Sequence, residues 1–447
     1  MKRPSGRLWH VGMLLGAALG AWGCARVGDD GLVIASAWSR SERRAIEVDF
    51  RRWADADPGA SREAVKIHWI SLARGDDLAR IAHRRAGVDV VLGGPASAYT
   101  RMARAGVLAA IEPSEHLPWR VVRRSPIGLS TAAPPGPGEL ALPSGGRGAT
   151  FDDPRHDPLA LAWAKGELGS AGWAEGYARL VRDAAHPRRI GRQAGSALAA
   201  LEHREVASTP AIESVGETGM PPSRSGSPTP PLRAPSPGGR GEFVEGVAIL
   251  RRGGHRARAQ TFLKFLAGRG QADPPSVEVH ESPEADTLLA DLLGATLVDA
   301  QDELRDGWEA LESAAQSDRA ERWMMMMTQA PPWPPASVEI ILRQDPASAL
   351  PETLASQLAP DADVRAWLLQ SWLRPTRQID GAWLAELAGG AGGRLVREPR
   401  FRAWLRAEWR AWSRQRYRRV ARLAESVDRF DPAPAGRAPA LRGGSSP

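Results

Sequence analysis

Gly87-Val88-Asp89-Val90-Val91-Leu92-Gly93-Gly94-Pro95 is the stretch on which the fold turns. Val88 to Leu92 is apolar apart from Asp89 and too short for a helix, so it reads as a buried strand. Gly-Gly-Pro then forces a turn. A helix is expected from there to Ala105, with Gly106 as its cap. Toward the N-terminus the pattern repeats. A helix from Asp76 to Arg85 presents Leu78, Ile81 and Ala82, and Val65 to Ile70 alternates as a strand. Ile46, Phe50 and Trp53 recur on one helix face that Ser39-Arg40-Ser41-Glu42 can cap. Leu32-Val33-Ile34-Ala35 opens the series as another buried strand. Strands alternating with helices predict an α/β fold with a largely parallel sheet covered on both faces.

Toward the C-terminus the character changes twice. The segment 152–201 is mostly helical by pattern. Asp157-Pro158 is a cap followed by proline at the first helical position, and Trp173, Tyr177, Leu180 and Val181 make one apolar face. Residues 215–242 are dominated by Pro, Gly, Ser and Arg without periodicity, which predicts a disordered insertion. A strand at Val244–Leu250, a turn at Arg251-Arg252-Gly253-Gly254 and a helix burying Phe262, Phe265 and Leu266 restore the α/β pattern. From about Glu281 helical periodicity and tryptophans dominate, and a separate all-α domain is expected over 281–430. A disordered tail is expected over 431–447.

The chain has 447 residues, 43% of them apolar, enough for two to four domains at roughly 100–200 residues each. Its start carries Lys2, Arg3 and Arg7, then a glycine-interrupted apolar run from Val11 to Trp22, then Gly23-Cys24. That order is expected of an export signal over residues 1–24. Cys24 is the only cysteine, so no internal disulfide is possible. The 59 Lys and Arg are interspersed with 52 Asp and Glu, for a net charge of +7. So diffuse an excess does not predict a nucleic-acid partner. No G-x-S-x-G or H-E-x-x-H occurs, and the nine histidines are scattered, so no enzyme is predicted.

Two resemblances follow from these residues. The lone cysteine closing the apolar run resembles a bacterial lipobox, which implies acylation of Cys24 and a lipid anchor in the envelope. The segment from Leu32 to about Gln271 resembles an extracellular solute-binding protein of the iron/polyamine-like type. Leu32 to Trp38, Gly87 to Pro95, Phe151-Asp152-Asp153-Pro154, and Glu245 to Leu250 with His255, Phe262 to Leu266 and Gly270-Gln271 carry it. It implies a two-lobed α/β fold, with one lobe from 32–115 plus 243–275 and the other from 116–214. It also implies a solute in the cleft and an ABC permease in the cytoplasmic membrane as partner, with no cofactor. By position, Ser36, Ala37, Trp38 and Ser39 would line the first loop, and Gly93, Gly94, Pro95 and Ser97 the second. Asp152, Asp153, Thr209 and Pro210 would approach from the other lobe.

The chain departs from that pattern. Iron-binding members use adjacent tyrosines, whereas Tyr99, Tyr177 and Tyr417 are far apart, which speaks against ferric iron. The helical region 281–430 falls outside the resemblance. It leaves a second expectation, an envelope interaction protein acting through its helices with a vestigial cleft. Asp152 to Asp157 is dense in possible metal ligands, but a turn and a helix cap explain it better, and no metal is predicted. Pro143 to Gly148 lacks the Lys-Ser/Thr ending of a phosphate loop. The stripe Phe401, Trp404, Leu405, Trp409, Trp412, Val420 and Leu423 fits a domain core better than a membrane surface.

Overall fold

The computed structural model describes residues 31–56, 66–72, 78, 80–81, 87–111, 117–131, 151–185, 190–191, 208–212, 241–269, 282–314, 319–344, 349–359 and 361–430. The expected export signal with Cys24, the loop 143–148, nearly all of the expected insertion, Gly270-Gln271 and the expected tail lie outside the described residues. So does the helix expected at 76–85, apart from Leu78, Arg80 and Ile81.

The chain is α/β in its first part and helical in its C-terminal region. Strands β1 (Leu32–Ser36), β2 (Ile67–Ser71), β3 (Val90–Pro95), β4 (Arg120–Thr131), β5 (Ser208–Ile212) and β6 (Glu242–Ile249) form one sheet in the order β2-β1-β3-β6-β4-β5. β1 runs parallel to β2 and β3. β6 lies between β3 and β4 and is antiparallel to both, and β5 is antiparallel to β4. The sheet is therefore mixed rather than largely parallel. The physical reason is connectivity. β6 returns into the sheet after the chain has crossed over along β4, not through a helical crossover that would keep it parallel.

Alternation sorts the strand residues onto two cores, as the pleat requires. Ile34, Val90, Leu92 and Ile249 face helices α1 (Arg40–Ala56) and α5 (Arg256–Gly268), where Phe50 meets Phe262 edge-on at 5.3 Å. Ala35, Val91 and Ala248 face α2 (Ala96–Arg104), with Tyr99, Met102 and Trp119. Each such large apolar side chain contributes about 1.5–3 kcal/mol on burial. The one charge in the deciding stretch, Asp89, is fully buried and accepts N–H bonds from Val33 and His255, both at 2.9 Å. It staples the start of β3 to β1 and to the start of α5.

β4 passes from one body to the next. Its residues 120–126 pair with β6 and 127–131 with β5. Ile127 and Phe243 reach a separate core formed with α3 (Pro158–Ser170) and α4 (Trp173–Ala185). The C-terminal helices belong to that same core. They are α6 (Pro283–Leu293), a π-helical turn at Gly294–Val298, α7 (Gln301–Ser313), α8 (Ala320–Thr328), α9 (Ala336–Gln344), α10 (Leu350–Leu358), α11 (Ala362–Trp372), α12 (Gly381–Ala388), α13 (Gly390–Val396) and α14 (Pro399–Phe430). A short antiparallel pair, β7 (Pro332–Trp333) with β8 (Arg377–Gln378), joins them.

The boundary expected near residue 281 thus cuts through one continuous core. Trp163 and Tyr177 pack in it together with Trp308, Trp372 and Trp409. The large apolar rings of these tryptophans need a partner surface to bury them, and α3 and α4 offer one. On α14, Phe401, Leu405, Trp409 and Val420 are buried in this core and Trp404 and Leu423 pack partly buried against it, while Trp412 is half-buried outside it. Among the described residues no helix is long and apolar enough to cross a membrane. Of the methionine run, Met327 is buried and Met325 is exposed.

Buried acids along α6 fasten the region on several sides. Glu284 meets Arg104 of α2 and, at 3.1 Å, Arg397. Asp286 meets Lys165 of α3 at 3.0 Å, and Asp291 meets Arg402 and Arg406 of α14 at 2.6 and 3.0 Å.

Candidate functional site

At the carboxyl ends of β1 and β3 the two loops expected to line a site come together. β1 ends at Ser36, fully buried, whose Oγ accepts the Trp38 N–H at 3.1 Å. Ala37 packs partly buried beside it. Ser39 begins α1 through a reciprocal cap. Its N–H donates to Glu42 Oε2 at 2.7 Å, and the Glu42 N–H donates to Ser39 Oγ at 3.3 Å. Each partner satisfies a helix-end group that would otherwise be orphaned.

β3 ends in Gly93 and Gly94, with φ of +81° and +85°. L-residues rarely adopt that conformation, so the glycines fit the position. The Tyr99 hydroxyl donates to the Gly93 carbonyl at 2.7 Å. Burial, and next the Glu245 charge, push the Tyr99 phenol well above its ordinary value, so it stays a donor. Pro95 precedes α2 and gives it no side-chain cap, and Ser97 is buried in the first turn.

Three residues not foreseen as site groups tie the loops together. Glu245 of β6 lies opposite Pro95, where the β3–β6 register shifts. It is 3% exposed. Its Oε1 accepts the indole N–H of Trp38 at 3.0 Å and the Gly94 N–H at 3.3 Å. Its Oε2 is paired with Arg123 Nε. Arg123 comes from β4, also at a register shift, and its Nη1 reaches Glu42 Oε1 at 2.6 Å. The same guanidinium lies 4.8 Å from the centroid of the Trp38 ring. A buried carboxylate is costly unless it is paired and hydrogen-bonded, and Glu245 is both. Burial works to raise the Glu42 carboxyl, but hydrogen bonds from Arg123 and Ser39 outweigh it and hold that carboxyl below its ordinary value. Arg123 is correspondingly raised, its two carboxylates outweighing burial.

One signal in the sequence points to these groups. Glu245 is a charge inside the apolar run Phe243 to Leu250, and Arg123 follows Val121-Val122. A charge in a strand buried on both faces needs a partner, and here each partners the other.

The remaining expected residues sit elsewhere or are only partly described. Asp153 is buried and held by Arg155 at 2.7 Å. Arg155 in turn meets Asp299 at 2.8 Å, so this pair faces the helical region. Asp152 is buried and bridges to Gly191. Asp157 caps α3 through the Leu159 N–H at 2.9 Å, with Pro158 at the first position. Thr209 and Pro210 lie on β5 opposite Ser130 and Leu129. Tyr99, Tyr177 and Tyr417 are each about 1% exposed or less and sit in two different cores. Among the described residues no group of three His, Cys, Asp or Glu side chains is placed to hold a metal ion.

No protein-family model matches the chain, and no curated protein does. Solved structures similar to it include the iron-bound HitA of Pseudomonas aeruginosa, at 19% identity over 58% of this chain and 95% of that one, with a TM-score of 0.37. The periplasmic binding protein AfuA of Actinobacillus pleuropneumoniae, with fructose-6-phosphate bound, is 16% identical over 54% of this chain and 81% of that one, with a TM-score of 0.40. A Bordetella ferric binding protein is 13% identical over 59% and 99%, with a TM-score of 0.39.

Proposed function

We propose that this chain is an exported, non-catalytic solute-binding component of an ABC-type importer, held in the envelope by a lipid on Cys24. The observation that carries this is the meeting of the loops 36–39 and 93–97 at the carboxyl ends of parallel strands. Ligands of open α/β sheets bind in that place. Trp38, Ser39, Gly94 and Ser97 are the groups of the first body nearest such a solute. Asp153 is engaged with Arg155 and is not counted among them. The opposing wall would come from 116–214, with Thr209 and Pro210 on its strand. Capture there and delivery to a permease would need no cofactor and no nucleic acid.

The test is a thermal-shift screen of the mature chain against metal ions, oxyanions, amines, sugars and amino acids. A ligand held only by the native state raises the melting temperature by mass action. A saturable rise with one class supports the proposal. No rise with any class on folded protein counts against it.

A second proposal, an envelope interaction protein with a vestigial cleft, is favoured by one observation. The loop donors are already bound to the chain's own Glu245 and Glu42. Because the helical region shares its core with α3 and α4, the bait for a partner search is the whole mature chain rather than residues 281–430. Recovery of one stoichiometric envelope partner, with a flat solute screen, would favour this second proposal.

A further inference from the structure

Two strands carry the chain from one body to the other. β4 and β6 run from the sheet packed against α1, α2 and α5 into the part packed against α3 and α4, and the two parts have separate apolar cores. A pair of strands is a narrow joint. Bodies joined that way move against each other unless a further interface holds them. Here a third element crosses the joint. α6 belongs to the second core, where Leu288, Leu289, Leu292 and Leu293 are buried, and it also packs against α2 of the first body.

That contact has a built centre. Ser282 starts α6 by accepting the Ala285 N–H at 3.3 Å, and Glu284 stands in the first turn. Glu284 is 7% exposed, and two guanidinium groups converge on it. Arg104, the last residue of α2, holds Oε2, and Arg397, just past the end of α13, holds Oε1 at 3.1 Å. Each carboxylate oxygen thus has one cation, and the two cations come from different bodies. A carboxylate at a helix start and cations at two helix ends also sit where the helix dipoles favour them. Arg104 is itself 51% exposed, so it adds little to the core of its own body. What it does is tie α2 to a carboxylate that cannot be left buried and unpaired.

α2 is a rod between two places. It starts at Ala96, against the glycine turn, and ends at Arg104, nine residues on. At the helical rise per residue that is about 13 Å. Fixing its far end to α6 therefore fixes how the loop 93–97 stands relative to the second body.

We propose that α6 is a strap across the joint between the two α/β bodies, with Glu284 and Arg104 as its clasp, and that it holds the bodies at one setting. The C-terminal helices then govern the first body from outside its own core. Whatever meets the loop 93–97 finds it already set, and so loses less freedom on binding. The strap stands with either function proposed above.

The experiment is double electron–electron resonance on the mature chain in a C24S background. Spin labels are placed at K264C on α5 and A174C on α4, both exposed positions and one on each body. The parent is compared with R104A and R104K. R104A cuts the link to the first body and leaves Glu284 paired with Arg397, so the helical core is kept. The expected result is one narrow distance distribution in the parent and, in R104A, a second distance or a distribution at least about two-fold broader, as for a chain released into an ensemble. R104K keeps the charge and should be narrower than R104A.

Folded R104A with the narrow distribution of the parent overturns the proposal. So does a parent as broad as R104A, or R104K as broad as R104A. Should R104A fail to fold, E284Q takes its place, since it keeps the shape of the clasp and removes its charge. Broadening in R104A together with a flat solute screen keeps the strap and counts against the importer role. A solute-dependent rise in melting temperature together with an unchanged distribution in R104A keeps the importer role and removes the strap.

Discussion

Replacing Gly93 by alanine tests the packing of the loop pair. Two costs add. An L-residue at φ +81° pays about 1–2 kcal/mol for the left-handed conformation alone. The new Cβ would also lie 2.7 Å from Cδ1 and Nε1 of Trp38 and 3.3 Å from Glu245 Oε1. The first contact is too close to survive, so the indole must move and its bond to Glu245 is lost. A hydrogen bond to a charged group contributes about 1.5–3 kcal/mol. The expected destabilisation is therefore about 2.5–5 kcal/mol. Gly87 is the control. Its φ is +88°, and an added Cβ there meets nothing within 4 Å. G87A should cost only the backbone share, about 1–2 kcal/mol. The assay is urea unfolding at neutral pH, with midpoints compared at unchanged slope. The double variant W38A/G93A closes the cycle. Without the indole, G93A should fall back to the cost of G87A, because coupling between touching residues disappears when one partner is gone. Equal costs for G93A and G87A, or an undiminished cost of G93A in W38A, would refute the proposed contact between Trp38 and the glycine turn.

Three further outcomes can be checked. S39A removes one half of the reciprocal cap on α1 and should cost about 1 kcal/mol in urea unfolding. W409A empties a site 1% exposed in the shared core and should cost about 3–5 kcal/mol. Hydrogen exchange should then show α3, α4 and α14 losing protection together, and loss confined to α14 would argue for a separate helical domain. Burial works to raise the Glu284 carboxyl, but Arg104 and Arg397 prevail and hold it below its ordinary value. A depressed carboxylate contributes stability above its unfolded value, about 4.3, and that contribution is lost as pH falls through the folded value. The acid limb of melting temperature against pH should therefore be shallower in E284Q than in the unmodified chain, and identical limbs would contradict the pairing.

Much of the α/β part was legible because its signals are local. Leu32 to Ala35, Val88 to Leu92 and the helix faces of Ile46 and Phe50 follow directly from periodicity, and Ser39 with Glu42 is a cap written four residues long. What periodicity cannot carry is partnership across distance. That β6 slots between β3 and β4, and that α3 and α4 complete the core of the tryptophan helices, depends on which apolar face finds which. Either face alone looks the same with a different partner. The site divides along the same line. The two loops were expected from the resemblance, and their glycines and serines account for the turn and the cap that shape them. Glu245, Arg123 and Glu42 come from three elements, and their meeting exists only in the assembled sheet. Asp153 illustrates the converse. It is rich in chemistry by sequence, yet Arg155 claims it for the joint with Asp299.

The middle position of β6 also governs time. Its carboxylate at Glu245 bonds the Gly94 amide 151 residues upstream. At roughly 5–20 residues per second, synthesis of that span lasts on the order of ten seconds. Until β6 is made, β3 and β4 lack the strand that joins them in the sheet. The first body cannot close while its early strands are emerging, however strongly each favours its own shape. Under the export proposed above, a keystone that arrives late would keep the front half loose until translocation is under way.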